Sequence, residues 1–245
     1  MSKRRELDNL LKIESEYTDN YILQEALAYA RTFTKVENVV AVVSDMAKGE
    51  SHILTGGFAS VLGLENYSTE SSIWEKRILD MMTPQEQEEK FIAELRFFHY
   101  LRHLPKNRRP ERFLLSKLRF KEASGKNVDV LHRMYYIYDH ENDTVLYAIC
   151  LYGPLVFNFK GKSHVVNTMT GEHEELTASS NCSVLGQRER QVLSLIDSGL
   201  KSAEIADRLN ISIHTVSRHR QEILAKLQVK NSIEACRLAR SMELI

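Results

Sequence analysis

The sequence has few cysteines and no long apolar run. Cys150, Cys182 and Cys236 are odd in number and widely spaced along 245 residues. They predict neither a disulfide framework nor a zinc site, and they suit a reducing compartment. No apolar stretch approaches the ~20 residues of a membrane-spanning helix, and no apolar core of a signal peptide follows the first six residues. We therefore expect a cytoplasmic chain.

The sequence also lacks the motifs by which common enzymes are recognised. It contains no phosphate-binding loop, no nucleophile elbow and no paired-carboxylate motif. His99 and His103 lie four residues apart in a predicted helix, but no third ligand accompanies them. We interpret them as solvated side chains near a helix end. The expectation is a protein that is not an enzyme and that holds no metal or cofactor.

Charge is balanced over the whole chain but not along it. Lys and Arg number 33 in total, as do Asp and Glu, so the formal net charge is zero. From Leu185 onward, ten basic residues accompany seven acidic ones, which makes the last quarter of the chain modestly positive. Such a small excess suits a module that contacts a few phosphates of a nucleic acid and gains affinity by dimerising.

That last quarter contains four consecutive short helical patterns. The first runs from Gln187 to Asp197 and is followed by Gly199, a residue suited to a left-handed helix end. Ser202 is the predicted cap of the second helix, which Asn210 ends, and Ser212 is the predicted cap of the third. Two helices joined by so short a connection predict a helix-turn-helix.

The third helix carries the candidate DNA-contacting surface. Its apolar residues Val216, Ile223 and Leu227 fall on one face at helical spacing, and the opposite face is polar. Arg and Gln side chains can pair with guanine and adenine edges in the major groove. A solvated face of an ordinary bundle helix fits this pattern equally well. The residues predicted to contact bases are Ser217, Arg218 and Gln221; those predicted to contact phosphates are Lys201, Ser202, Ser212, Thr215, His219, Arg220, Lys226 and Lys230.

This segment resembles the LuxR-type (GerE-like) DNA-binding domain of bacterial transcription regulators. Gly186 departs from the family, which usually has a Thr cap there, and Ser232 stands where the family often has Arg. The resemblance implies a sequence-specific regulator of transcription whose partner is double-stranded DNA. The positions that carry it include Arg188-Glu189, Val192-Leu193, Gly199, Glu204-Ile205-Ala206, Ile211-Ser212, Thr215-Val216, Lys226-Leu227 and Asn231.

The chain before this segment predicts a different domain. Residues 1–35 are expected to be helical. From Val36 onward, two strands, a helical middle and three antiparallel strands follow one another. This order, and the stretch from Leu54 to Leu64, resemble a PAS-type sensor domain. We therefore expect an α+β fold, with a five-stranded antiparallel sheet at 36–157, a polar linker at 158–183 and an all-α domain at 184–245. The alternative within the linker is a small hairpin about Thr170-Gly171 that contains Val165-Val166 and Leu176.

Several roles fit the PAS-like domain. It senses a small ligand or a protein partner, or it is a ligand-free platform for dimerisation, because its Tyr-rich strands suit a core equally well. A third alternative is a phosphorylated receiver, with Val39 to Val43 as the phosphoacceptor strand. The downstream strands form a meander and not alternating βα units, which argues against the receiver.

The last helix is the predicted contact of a homodimer. Residues from Ser232 to Met242 form two apolar sides, and a domain of four short helices is expected to bury only one of them. The resembling family also uses its fourth helix in this way. Ile233, Cys236 and Met242 are therefore predicted to meet a second subunit. The alternative is that this helix only closes its own bundle and that the subunits meet elsewhere.

Overall fold

The computed structural model describes residues 3–11, 20–122, 124–139, 144–177, 185–227, 229–241 and 244–245. Backbone contacts divide the chain into two compact units, residues 1–94 with 104–175 and residues 95–103 with 176–245. The helices before residue 103 are α1 (Lys3–Leu11), α2 (Asn20–Val36), α3 (Ala59–Leu62), α4 (Lys76–Leu79) and α5 (Pro84–Arg102).

A single antiparallel sheet forms the centre of the first unit. Its order is β3-β2-β1-β6-β5-β4-β7-β8. The central order β2-β1-β6-β5-β4 is that of a PAS-like sheet, so the predicted α+β fold is confirmed. The strands are β1 (Val40–Asp45), β2 (Glu50–Thr55), β3 (Thr69–Glu70), β4 (Arg112–Lys121), β5 (Asn127–Tyr138), β6 (Val145–Pro154), β7 (Ser163–Asn167) and β8 (His173–Glu175).

The two faces of the sheet are covered differently. On one face, α2 packs Leu23, Ala26 and Ala30 against alternate residues of β1 and β6. Strand β1 is buried at every position, which explains its continuous β-branched run. Register pairs Val42 with Cys150 and Cys150 with Met134, so these three side chains share the opposite face. That second face carries the cavity described below.

The predicted linker at 158–183 contains two strands, which form a hairpin around Thr170 and Gly171. Strand β7 pairs with β4, and β8 pairs with β7, so residues 163–175 extend the sheet beyond the five expected strands. Val165 is buried, and this short apolar contact covers the edge of β4. Residues 178–184 lie outside the described part of the chain. The predicted domain bounds therefore stay a prediction.

The second unit contains the four predicted carboxy-terminal helices. They are α6 (Gln187–Asp197), α7 (Ser202–Leu209), α8 (Ile213–Leu227) and α9 (Ser232–Ser241). Each contributes apolar residues to one core, because these positions recur at helical spacing. The largest core contributors are Leu193, Ile205, Ile223, Leu227 and Leu238.

His99 is buried, contrary to the prediction of a solvated side chain. It is 2% exposed, and burial lowers its pKa to about 3, so its ring is neutral. Within the described ranges, no three His, Cys, Asp or Glu side chains gather as the ligands of a metal ion would. No described helix has both the length and the apolar character needed to cross a membrane.

Candidate nucleic-acid interface

The turn between α7 and α8 is built as the sequence predicts. Asn210 adopts a left-handed conformation with φ of 53°, which ends α7. The Ser212 Oγ accepts a hydrogen bond from the Thr215 backbone N–H at 3.0 Å and so caps α8. The short connection fixes the direction in which α8 leaves the turn.

The start of α7 differs from the prediction. Lys201 is the capping position, and the Glu204 carboxylate accepts a hydrogen bond from its backbone N–H at 2.6 Å. Ser202 is the first helical residue, and its Oγ accepts a hydrogen bond from Arg220 at 2.9 Å. A carboxylate three residues into the helix therefore replaces the serine cap.

The polar face of α8 is exposed. Ser217, Arg218 and Gln221 all lie on the surface of the unit, while Val216 and Ile223 are buried on the opposite side. The Arg218 side chain is 65% exposed, and its Nε lies 3.4 Å from the Glu222 carboxylate. Such an exposed pair contributes only about 0.3–0.5 kcal/mol, so Arg218 can exchange it for another acceptor.

Arg220 joins the beginnings of two neighbouring helices. Its guanidinium donates to Ser202 Oγ at 2.9 Å and to Ser232 Oγ at 3.1 Å. Ser202 begins α7 and Ser232 begins α9, so one side chain fixes both helix ends beside α8. The same groove is lined by Ser217, Gln221 and Asn231. The amino ends of helices are natural anion sites, and this groove presents two of them.

Lys226 is engaged in an ion pair that the sequence interpretation missed. Its Nζ lies 2.7 Å from an oxygen of Glu189, and Glu189 is buried. The same Glu189 oxygen accepts the backbone N–H of Gly186 at 2.7 Å, which completes the cap of α6. The spacing from Gly186 to Glu189 signals the cap, but nothing local signals a partner 37 residues away.

We expect Lys226→Met to destabilise this unit by about 1–2 kcal/mol, because it leaves a buried carboxylate with one partner fewer. Lys226 is itself 44% exposed, which keeps the effect below that of a fully buried pair. Thermal unfolding of the full chain measures the change. Lys230→Met is the matched control, since Lys230 is an exposed lysine in the next loop. Equal melting temperatures for both variants would contradict the structural role of the pair.

The remaining residues predicted to contact phosphates differ in how accessible they are. Lys201 and Lys230 are exposed. The His219 side chain is 13% exposed, and its Nδ1 lies 3.2 Å from the Glu222 carboxylate. The Thr215 hydroxyl lies 2.9 Å from that of Ser212. Lys201 and Lys230 are thus the basic side chains best placed to reach a phosphate directly, and the phosphate assignments stay predictions.

Both apolar sides of α9 contain buried residues, with Cys236 on one side and Leu238 on the other. Cys236 is 6% exposed, and its Sγ lies 3.9 Å from the Leu193 carbonyl oxygen, so it packs within its own bundle. Its assignment to a dimer contact stays a prediction, which this burial disfavours. Ala235 and Ala239 are buried as well, because small residues let the neighbouring helices approach. Ile233 is 83% exposed and remains a candidate contact. Met242 lies outside the described residues.

The first unit contains a second candidate site, which no sequence motif predicts. A cavity of about 30 Å³ lies on the sheet face opposite α2, lined by three buried ionisable residues, Glu75, Lys90 and Glu94. The Lys90 Nζ contacts the Glu94 carboxylate at 2.5 Å. Ser44 donates to the Glu75 carboxyl at 3.2 Å. The four-residue spacing of Lys90 and Glu94 fits a helix surface pair, so the sequence gives no sign of its burial.

The carboxy-terminal residues match a known family. Residues 183–239 match the model of bacterial regulatory proteins of the luxR family. Fimbriae Z protein of Escherichia coli is 42% identical over 69 residues, 28% of this chain and 33% of that protein. The transcriptional activator protein EsaR of Pantoea stewartii is 27% identical over 154 residues, 54% of this chain and 62% of EsaR. The chain thus spans less than two thirds of the length of either relative.

Solved structures align over more of the chain but weakly. A crystal structure of the phage VqmA-DPO complex covers 91% of this chain and 88% of that one, with 16% identity and a TM-score of 0.37. A crystal structure of a Rhodobacter sphaeroides LOV protein covers 91% and 98%, with 14% identity and a TM-score of 0.37. These scores are too low to support any functional comparison. The family match gives this chain a luxR-family helix-turn-helix domain at residues 183–239, and this domain follows a domain with a PAS-like strand order.

Proposed function

We propose that this chain is a transcription regulator that binds double-stranded DNA in a sequence-specific manner, with α8 in the major groove. The observation that carries the proposal is the exposed face of Ser217, Arg218 and Gln221 on the second helix of a LuxR-family helix-turn-helix. Guanidinium and carboxamide groups form paired hydrogen bonds with guanine and adenine edges, respectively. We assign base contacts to these three residues.

Contacts with phosphates are assigned to the residues around this face. Lys201 and Lys230 supply exposed charges next to Ser202 and Asn231, which line the groove beside α8. Arg220 holds the amino ends of α7 and α9 beside the same groove. These contacts position the domain without selecting a sequence. The full set is Lys201, Ser202, Ser212, Thr215, His219, Arg220, Lys226 and Lys230. Of these, Lys226 is also paired with Glu189 and is 44% exposed.

Affinity of the full chain for duplex DNA should fall steeply as salt rises. Each neutralised phosphate contributes about −0.9 to the slope of log affinity against log salt concentration. We therefore expect Lys230→Gln to flatten this slope by about one while the chain stays folded. Fluorescence anisotropy at several salt concentrations measures both slopes. A folded chain that binds DNA at low salt no better than an inert protein would refute the proposal.

We further propose that the chain acts as a homodimer controlled by its PAS-like domain in response to a small ligand. Two recognition helices related by a two-fold axis would meet half-sites about one turn of DNA apart. The cavity beside Glu75, Lys90 and Glu94 supports the proposal of a ligand. Burying ionisable groups costs folding free energy, and a domain that needs only a packed core would not require them.

A second candidate role for this domain is that of a ligand-free dimerisation platform. The observation that favours it is a set of three exposed apolar side chains on α2. Tyr21, Tyr29 and Val36 are 69%, 61% and 73% exposed. Large exposed apolar side chains of this kind suit pairing with the same helix of a second subunit. The two roles are compatible, because α2 and the cavity lie on opposite faces of the sheet.

A further inference from the structure

Helix α1 covers the polar cavity with one face. Leu7 and Leu11 line the cavity and are buried. Asp8 accepts a hydrogen bond from the Trp74 indole N–H, and the Arg4 guanidinium lies 5.8 Å from the centre of the same ring. These four residues recur at helical spacing, so a single stripe of α1 makes all of these contacts.

The helix has little stability apart from this site. It contains nine residues, and isolated helices shorter than about 12–15 residues are marginal in water. Among the residues that the structure describes, the contacts with the cavity and with Trp74 attach it to the domain. Any molecule that replaces Leu7 and Leu11 in the cavity would release the helix.

The charges around the cavity do not balance without a proton. Glu75 and Glu94 are two buried carboxyl groups, and Lys90 is the one buried ammonium group among the cavity-lining residues that the structure describes. Burial raises the pKa of Glu75, an effect that the nearby Lys90 opposes and does not cancel. Burial thus favours the protonated form of Glu75, and an entering cation would take the place of a proton there.

Other titratable groups near Glu75 keep their charge state around neutral pH. Burial raises the pKa of Cys150, Tyr136 and Tyr152, so these groups stay protonated. Burial lowers the pKa of His132 well below its usual value, so its ring stays neutral. Lys90 is held charged by its pair with Glu94. Asp8 belongs to α1 and leaves with it. The Glu94 carboxylate is paired with Lys90, which leaves Glu75 as the carboxyl group that would exchange a proton.

Building on the proposed sensory function, we propose that α1 is a displaceable lid and that the cavity beneath it binds a small primary alkylamine. The alkyl group occupies the space of Leu7 and Leu11, and the ammonium group donates hydrogen bonds to the carboxyl groups of Glu75 and Glu94. Binding is an exchange: the protonated amine enters, the Glu75 proton leaves to solvent, and no covalent bond to carbon changes. Such charge-assisted hydrogen bonds are about twice as strong as neutral ones.

The test compares two probes of the same shape, isoamylamine and isoamyl alcohol, by calorimetry on the full chain. We expect the amine to bind at least about tenfold more tightly than the alcohol, because only the amine forms charge-assisted hydrogen bonds. Its binding should release protons, seen as a dependence of the heat on the buffer. Its affinity should rise with pH while the amine stays protonated, because protons then compete less for Glu75. Equal affinities, or no proton release, would overturn the proposal.

Two variants separate the site from the lid. Glu75→Gln keeps the shape of the site but cannot ionise, so it should abolish proton release and bring the two probes within about threefold. Leu7→Ala with Leu11→Ala should bind the amine more tightly than the wild type, because the space is already empty. Unchanged amine affinity in either variant would place the binding elsewhere. DNA affinity is measured on the same samples. If the wild-type chain binds DNA but not the amine, the proposed amine site is refuted and the proposed DNA-binding function stands.

Discussion

Cys236→Asp should unfold the carboxy-terminal unit. The Cys236 side chain is packed inside the bundle against the Leu193 carbonyl. Burial and the nearby Asp197 raise the thiol pKa to about 11, which shows how strongly this position disfavours negative charge. An unpaired buried charge costs about 3–5 kcal/mol, a large fraction of the 5–15 kcal/mol that typically stabilises a domain. Circular dichroism at rising temperature should show the loss of helix.

Ile233→Asp is the matched control, because it introduces the same charge on the same helix at an exposed position. The free energy of unfolding of this variant should stay within about 0.5 kcal/mol of the wild-type value. If Ile233 belongs to the subunit contact, the Ile233→Asp variant should no longer occupy paired half-sites cooperatively, but it should still bind one half-site. If the Cys236→Asp variant folds and loses only its cooperative binding to paired half-sites, Cys236 lies in the dimer contact as the sequence predicts.

The helix bounds of the carboxy-terminal unit were predictable because their signals are local. Asn210 and Ser212 end one helix and begin the next through their own backbone and side chain, so their roles follow from residue type. The strands of the PAS-like sheet were predictable for a similar reason. Their β-branched runs and intervening turns lie within a few residues of one another.

Features that depend on distant partners were not predictable from the sequence. Helical spacing placed Cys236 on an apolar side of α9, but it could not say that Cys236 would pack against Leu193 of the same bundle. The Glu189–Lys226 pair and the bridge from Arg220 to Ser232 join different helices. The sequence offered the hairpin at Val165 and Val166 only as an alternative to a linker, because pairing with β4 and not composition stabilises β7.

The buried charged residues of the PAS-like unit could not be predicted from the sequence either. Lys90 and Glu94 have the spacing of a surface pair, and Glu75 follows a polar loop. Only the sheet register brings Ser44 beside Ser51, and only the fold then brings both hydroxyls within 3.2 Å of the Glu75 carboxyl. The polar cavity therefore depends on the tertiary structure and could not be predicted from residue patterns in the sequence.

Arg218→Ala should remove base discrimination without unfolding the domain. The Arg218 side chain is 65% exposed, and its pair with Glu222 contributes little to stability. A paired hydrogen-bond contact with a base is worth about 1–3 kcal/mol of discrimination, or about 5–150-fold in affinity, at one base position. Selection of binding sites from a randomised DNA library, with the wild type and the variant, would show which position becomes degenerate.

Lys230→Ala serves as the control for this effect, because an exposed lysine that contacts phosphates affects all sequences alike. It should weaken binding to the selected site and to random DNA by the same factor, and it should flatten the salt dependence. Arg218→Ala should instead weaken the selected site much more than random DNA. If Arg218→Ala weakened both equally, Arg218 would contact phosphates, and the base-contacting face of α8 would have to be rotated toward Ser217 and Gln221.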